Sequence, residues 1–256
     1  MAVKDLLLLA TVFGALTGAI PVSPRQYSVD LPIKIIEGSD PDADALELTE
    51  SREIISLFHT RLGQNGSSKL VETDVEAADA FWHKALSNAT NYVGGVTRIQ
   101  AYAPTSVFNA TSVLVWFRGA GTGWPNDFLN TSPQHYLAFS GGGTSDPEAA
   151  IESTETWGAG PTTYFKGIPA EKPSYIPTLP EFAAQSNLAL VLKDGTVFAH
   201  SVTTARDLED TEGVEIYQGI WIPDNVPEYV VTGLTEHITV EFANWLRFAY
   251  RKATGT

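Results

Sequence analysis

The stretch LALVLKDGTVFAHSV, residues 188–202, constrains the fold of this chain more than any other. Asp194-Gly195 is typical of a two-residue hairpin turn, and apolar, β-branched and aromatic residues flank it on both sides. With that turn, Val191 lies opposite Phe198 and Ala189 lies opposite His200. Both faces of the hairpin are largely apolar. One face therefore covers a core, and the other packs on a second layer or lines a cavity.

The two-residue period of this hairpin recurs from Tyr92 onward. It predicts strands at 94–103, 111–118, 135–140, 150–157, 187–193, 196–204 and 213–222. The C-terminal segment 236–252 fits either a strand or a helix, and we predict a strand because alternation matches more of its positions. The proline-rich segment 158–180 is predicted to be a loop, either an ordered flap over a cavity or a surface connection stiffened by proline.

Two helices precede these strands. The apolar stripe of the first comprises Ile54, Ile55, Phe58 and Leu62, and Gly63 is predicted to end it. The second is predicted to start at Thr73, which would form a capping box with Glu76. The predicted fold class is α+β and mostly β: an antiparallel barrel or strongly curved sheet with two N-terminal helices.

The N-terminus has the pattern of a secretion signal. Lys4 precedes an apolar run too short to span a bilayer easily, and small residues suit cleavage after Ala19. We therefore predict a signal peptide at 1–19, a single mostly-β domain at 20–256, and a secretory or extracellular location. Four glycosylation sequons agree with export, at Asn65, Asn88, Asn109 and Asn130.

Charge and composition exclude several classes of partner. The formal net charge is -14, so the surface repels nucleic acid and anionic lipid. We expect neither nucleic-acid binding nor membrane association after signal cleavage. Cysteine is absent, which removes thiol nucleophiles and cysteine-ligated metals.

The loop GAGTG at 119–123 resembles a phosphate-binding loop only in its glycines. Trp124-Pro125 follows where a dinucleotide loop needs a helix start, and no Lys-Ser/Thr pair follows as a P-loop requires. We predict a mobile connection between strands and no cofactor.

Five histidines are the first candidates for chemistry. None belongs to a metal-binding motif. A β-barrel site could gather His135, His200 and His237, but their spacing does not support one, and we predict no metal. Burial of His200 would favour a neutral imidazole able to act as acid or base, against the alternative of a core histidine bonded to backbone. The same reasoning makes His135 a second candidate.

Two further strands provide candidate binding groups. Tyr217 and Trp221 share a face of VEIYQGIWI with Glu215 and suit either a ligand pocket or a solvent face. Trp116 and Arg118 share a face of the strand predicted at 111–118. There Arg118 could hold a substrate oxyanion or form an ordinary ion pair.

Glu152 and Glu155 offer paired carboxylates for glycoside hydrolysis, although nothing in the sequence fixes their separation.

Three stretches carry a family resemblance: SPQHYLAFSGGGTSDP (132–147), LKDGTVFAHSVTTARD (192–207) and GLTEHITVEFANWLRF (233–248). In them the chain resembles the tropolone-sesquiterpenoid hetero-Diels–Alderases and related cyclases of fungal secondary metabolism. The resemblance implies an apolar cavity for a polyketide or terpenoid, where acid–base groups generate a quinone methide and steer its cycloaddition. Such chemistry needs no cofactor.

The sequence thus predicts a cofactor-independent lyase or cyclase acting on a hydrophobic natural product. In this hypothesis His200 and His135 exchange protons, and Tyr217 and Arg118 polarise oxygen atoms. The substrate would contact Trp116, Phe198 and Trp221. One alternative is a secreted, lipocalin-like binding protein without catalysis. Another is a carbohydrate-directed protein with exposed tryptophans.

Overall fold

A computed structural model describes residues 33–37, 45–117, 131–132, 135–140, 148–158, 160–182 and 184–255. The predicted signal peptide, the GAGTG loop, Arg118 and Asn130 lie outside the described residues. No helix in the described ranges is both long and apolar enough to cross a bilayer.

Eight strands of the described chain form one antiparallel sheet in the order β1-β2-β8-β7-β6-β5-β4-β3. Their bounds are β1 Ile33–Glu37, β2 Tyr92–Ala101, β3 His135–Ser140, β4 Ile151–Thr156, β5 Thr162–Pro169, β6 Ala184–Val191, β7 Val197–Asp207 and β8 Val214–Pro223. The sheet curls into a half-barrel. The predicted α+β, mostly β class with a strongly curved sheet is confirmed.

Four helices accompany the sheet within the described ranges: α1 Ala45–Leu70, α2 Glu72–Asn88, α3 Ala110–Phe117 and α4 Glu228–Thr254. Helices α2, α3 and α4 pack on one face of the sheet, here called the inner face. Trp82 of α2, fully buried, contacts Trp157 and Phe198. Leu234 of α4 lies so close to Gly95 of β2 that a Cβ there would come within 2.8 Å of its side chain.

The hairpin around Asp194-Gly195 forms with a small shift in its pairing. Ala189 lies opposite His200 as predicted, but a bulge places Val191 opposite Val197 and not opposite Phe198. The turn is longer than two residues, because Leu192 N donates to Thr196 O. The bulge explains why Phe198 and Ala199 are both fully buried although strand alternation would separate them.

The prediction of a strand at 111–118 is wrong, since α3 occupies Ala110–Phe117. Asn109 and Ser112 cap this helix reciprocally: Asn109 Oδ1 accepts from Ser112 N at 2.9 Å, and Ser112 Oγ accepts from Asn109 N at 3.0 Å. This cap satisfies backbone N–H groups that the first turn of a helix leaves without intrahelical partners. Trp116 is therefore on a helix.

The C-terminal segment is also a helix and not a strand. α4 begins after Pro227, carries Glu228 in its first turn and Arg251 in its last, and ends at Gly255 in the left-handed conformation. Its buried face repeats at helical spacing, with Val230, Leu234, Ile238, Phe242 and Leu246 against the sheet.

Three smaller differences concern loops and helix ends. The segment 158–180 contains β5, so only its second half is a loop. The first helical stretch of α1 ends at Gly63 as predicted, where φ is +64° and ψ is 175°, but a second helical stretch continues after this kink to Leu70. α2 begins at Glu72 without a side-chain cap, so the predicted capping box at Thr73 is absent.

Candidate functional site

A cavity of about 180 Å³ lies between the inner face of the sheet and helices α3 and α4. Most of its wall is apolar, including Leu114, Phe117, Phe165, Leu188, Phe242 and Trp245. An engineered cavity of about 150 Å³ binds benzene, so this cavity suits a molecule slightly larger than one aromatic ring.

A buried ionisable cluster lies at one side of the cavity and comprises His135, Glu155, His237 and Glu241, here called the quartet. His135, Glu155 and Glu241 line the cavity itself. Three elements position the quartet. His135, the first residue of β3, pairs directly with Glu155 of β4. His237 and Glu241 lie one turn apart on α4 and so share a face. Two strands and one helix thus point four polar side chains at one another.

Close packing of α4 on the end of β4 makes this convergence possible. Gly158, just after β4, has φ +58°, and a Cβ there would lie 2.5 Å from Gly233 Cα on α4. Only glycine combines that conformation with that approach. The helix can therefore pass close enough for His237 to reach Glu155.

The polar atoms of the quartet are within contact distance. His135 Nε2 lies 2.8 Å from Glu155 Oε2 and 3.1 Å from Glu241 Oε1. His237 Nε2 lies 3.0 Å from Glu155 Oε2 and 3.7 Å from Glu241 Oε2. All four side chains are at most 7 % exposed. Each imidazole therefore presents the same nitrogen to both carboxylates.

Ser153 orients the His135 ring from its other side. Ser153 Oγ donates to Leu137 O at 3.2 Å and lies 3.0 Å from His135 Nδ1. Because the hydroxyl has one proton, it accepts a hydrogen bond from Nδ1–H. His135 Nε2 then faces the carboxylates in either charge state of the ring.

The two buried carboxylates of the quartet must be neutralised by positive charge. Burial alone would lower the pKa of His135, but the Glu155 and Glu241 carboxylates beside it raise that pKa to about 10. Burial alone would raise the pKa of Glu155, but His135 and His237 hold it well below its usual range. Two carboxylates buried together require either protons on the imidazoles or another cation.

A second polar group lies on the floor of the cavity, contributed by β7 and β8. Thr203 Oγ1 donates to Gln218 Oε1, and Gln218 Nε2 donates to Ser201 Oγ at 3.0 Å. All three side chains border the cavity. A ligand can therefore meet hydrogen-bonding groups on two sides and apolar groups elsewhere.

Among the predicted catalytic residues, the structure places His135 in this cavity wall and His200 elsewhere. His200 lies on the outer face of β7, where Tyr175 Oη lies 2.5 Å from its Nδ1 and Tyr92 stacks on Tyr175. Burial lowers the pKa of His200 and raises that of Tyr175. The hydrogen bond therefore joins a protonated phenol and a neutral imidazole, and it fastens the 170–182 loop to the sheet.

Tyr217 and Trp221 also lie on the outer face. They form a small apolar cluster with Ile176 and Phe182 of the same loop. The face that the sequence offered as a ligand pocket is therefore filled by the chain itself, and the opposite face of β8 borders the cavity. Burial raises the pKa of Tyr217 to about 12.

Of two further predicted substrate contacts, Phe198 lies in the core and Trp116 is half-buried against it. Phe198 is fully buried among Trp82, Trp157 and Phe165. Trp116 packs on Trp245, which lines the cavity, but Trp116 itself is not among the lining residues.

Glu152 and Glu155 do not form a carboxylate pair. Glu152 borders the cavity, but strand alternation directs its carboxylate outward, where Tyr164 Oη donates to it at 2.7 Å. Glu155 instead shares the imidazoles of His135 and His237 with Glu241, a residue that the sequence analysis did not single out. The spacing His237-x-x-x-Glu241 would have indicated the pair if the segment had been interpreted as a helix.

Three of the predicted glycosylation sites lie on described residues. Asn65 and Asn88 are exposed, and Asn109 is half-buried at the start of α3. Glycosylation itself stays a prediction.

Comparisons with known proteins supply no family for this chain. No protein-family model matches it, and no curated protein is significantly similar to it. The site therefore carries the functional inference, and the sequence resemblance contributes only a substrate class.

Proposed function

We propose that this protein is a lyase or cyclase whose substrate is a hydrophobic, oxygen-bearing molecule held in the inner cavity. The observation that carries the proposal is the quartet, which places two carboxylates and two imidazoles beside an apolar chamber. Apolar pockets with a few convergent polar groups are the usual setting of small-molecule catalysis. The quartet would bind and polarise a substrate oxygen, while Ser201, Thr203 and Gln218 orient the other side.

The size of the cavity narrows the substrate class. At about 180 Å³ it holds one ring and a few substituents. A polyketide or terpenoid, the class implied by the sequence resemblance, would place only its reacting ring there. Polarising a phenolic, enolic or carbonyl oxygen promotes loss of water or ring closure without an external oxidant.

The experiment uses one-ring phenols and monoterpenoid alcohols and ketones, with binding measured by calorimetry and products by mass spectrometry. Leu188→Trp fills the cavity, and Val197→Trp adds the same side chain at an exposed position of β7. We expect at least about tenfold weaker binding in the first variant and wild-type binding in the second. Wild-type binding and turnover by Leu188→Trp would show that the cavity is not the site.

Glu241→Gln separates an enzyme from a carrier. The substitution keeps the shape of the side chain but removes a charge from the quartet, so we expect turnover to fall by about 100-fold or more with binding largely retained. Ligand binding by the wild type without any product would favour the lipocalin-like alternative.

We also propose that the protein enters the secretory pathway. The apolar N-terminus and the sequons whose asparagines, Asn65 and Asn88, are exposed support this. Expression in a eukaryotic host should yield a mature chain starting near Ile20, with glycan at those positions by mass spectrometry. A chain that keeps Met1 and carries no glycan would contradict it.

A further inference from the structure

The quartet has the composition of a metal site as well as of an ion-pair network. It offers two imidazole nitrogens and two carboxylates, and one ligand atom from each residue lies within 4.8 Å of the others. Mixed nitrogen and oxygen donors suit divalent first-row transition ions better than Ca²⁺ or Mg²⁺.

The separations between donor atoms fit a common centre. A metal bound at about 2.0–2.2 Å in tetrahedral or octahedral geometry keeps neighbouring ligands about 2.8–3.6 Å apart. Three contacts between His and Glu atoms in the quartet are 2.8, 3.1 and 3.0 Å, and the fourth is 3.7 Å. Ligand atoms of the quartet lie up to 4.8 Å apart, so side-chain rotations must close the longest separations before one ion is held by all four residues.

The support around His135 matches what a ligating histidine needs. Ser153 accepts the Nδ1–H of His135 and directs Nε2 toward the two carboxylates. Such outer hydrogen bonds fix the tautomer and the ring orientation of metal ligands. With neutral imidazoles the quartet carries two negative charges, which one divalent ion would neutralise.

We propose that the quartet binds one divalent transition-metal ion, with Zn²⁺ as the reference ion. His135, Glu155 and Glu241 border the cavity, so a substrate oxygen could approach the ion from there. The ion would then act as the Lewis acid that polarises this oxygen. That catalytic role rests on the proposed function, whereas ion binding does not. No metal motif is visible in the sequence, because the donors of the quartet come from three separate elements: β3, β4 and α4.

The test is Zn²⁺ calorimetry on the chelator-treated full chain, followed by Co²⁺ absorption spectra. We expect about one Zn²⁺ per chain. His237→Ala should weaken binding by at least about 100-fold, and Ser153→Ala by about tenfold, since outer-sphere partners contribute 10–100-fold. The control is His83→Ala, because His83 is exposed and paired with Asp194, and it should bind as the wild type does.

Absent Zn²⁺ binding by the wild type, or equal binding by His237→Ala, would overturn the metal proposal. The quartet would then be an ion-pair network neutralised by protons. If His237→Ala does not fold, the Co²⁺ spectrum of the wild type decides: visible bands shifted from those of hexaaqua Co²⁺ and more intense support the proposal, and a spectrum identical to that of hexaaqua Co²⁺ contradicts it. Leu188→Trp should keep Zn²⁺ binding while losing ligand binding, so the two proposals can fail separately.

Discussion

The inner and outer faces of the curled sheet both carry buried charges, but they neutralise them differently. On the outer face, Glu215 is satisfied by partners of the sheet itself: Arg98, Gln100 at 2.8 Å and Arg206 at 3.3 Å. On the inner face, the quartet places two carboxylates together with two imidazoles beside a cavity. Full neutralisation by fixed cations indicates a structural role, whereas convergent charges beside an apolar chamber indicate a functional one.

The largest effect on stability should come from breaking the quartet. Glu155→Leu leaves His135 and His237 buried with Glu241 as the one carboxylate of the quartet, and removing one partner of a buried ion pair costs about 3–5 kcal/mol. Urea unfolding measures the change. The comparison of the two faces would fail if this variant were as stable as the wild type.

Acidification should destabilise the protein more through Glu215 on the outer face than through exposed carboxylates. Burial alone would raise the pKa of Glu215, but Gln100, Arg98 and Arg206 lower it below its ordinary value. A lowered folded-state pKa contributes stability above the unfolded pKa of about 4.5, and this stability is lost as the pH falls through the folded value.

Glu215→Gln should therefore lower the free energy of unfolding at neutral pH by about 1.5–3 kcal/mol, the contribution of a hydrogen bond to a charged group. Below pH 4 the difference from the wild type should shrink, because the wild-type carboxylate becomes protonated as the pH falls. Asp210→Asn, at an exposed turn, is the matched control and should change little. An identical pH dependence in Glu215→Gln and the wild type would contradict the assignment.

The smallest effect should come from the loop anchor. Tyr175→Phe removes the hydrogen bond to His200 but keeps the stacking on Tyr92, so we expect a loss of about 0.5–1.5 kcal/mol. Proteolysis of the 170–182 loop and thermal unfolding would measure it. A collapse of ligand turnover in this variant, with stability unchanged, would instead support the sequence prediction that His200 is catalytic.

Sequence reasoning recovered the sheet because alternation is a local signal. The hairpin around Asp194 and the pairing of Ala189 with His200 could be read from neighbouring residues. The helix at Glu228–Thr254 was missed because its apolar residues fit both the two-residue spacing of a strand and the 3.6-residue spacing of a helix. Its caps, Pro227 before it and Gly255 after it, were the better guide.

The site was harder to predict than the fold. His135 was named from one strand face, but which face of the sheet is concave depends on how all eight strands curl together. Glu155 and Glu241 lie far apart in sequence and meet only because α4 crosses the inner face. The outer face looked equally suitable for a pocket until the 170–182 loop covered it.

The central claim is that ligand binds on the inner face of the sheet, and a crystal structure of the protein soaked with a one-ring phenol tests it most directly. We expect the ring among Leu188, Phe165 and Phe242, with its oxygen toward the quartet. Density for the phenol beside His200 and Tyr217, with the inner cavity unchanged, would contradict the account.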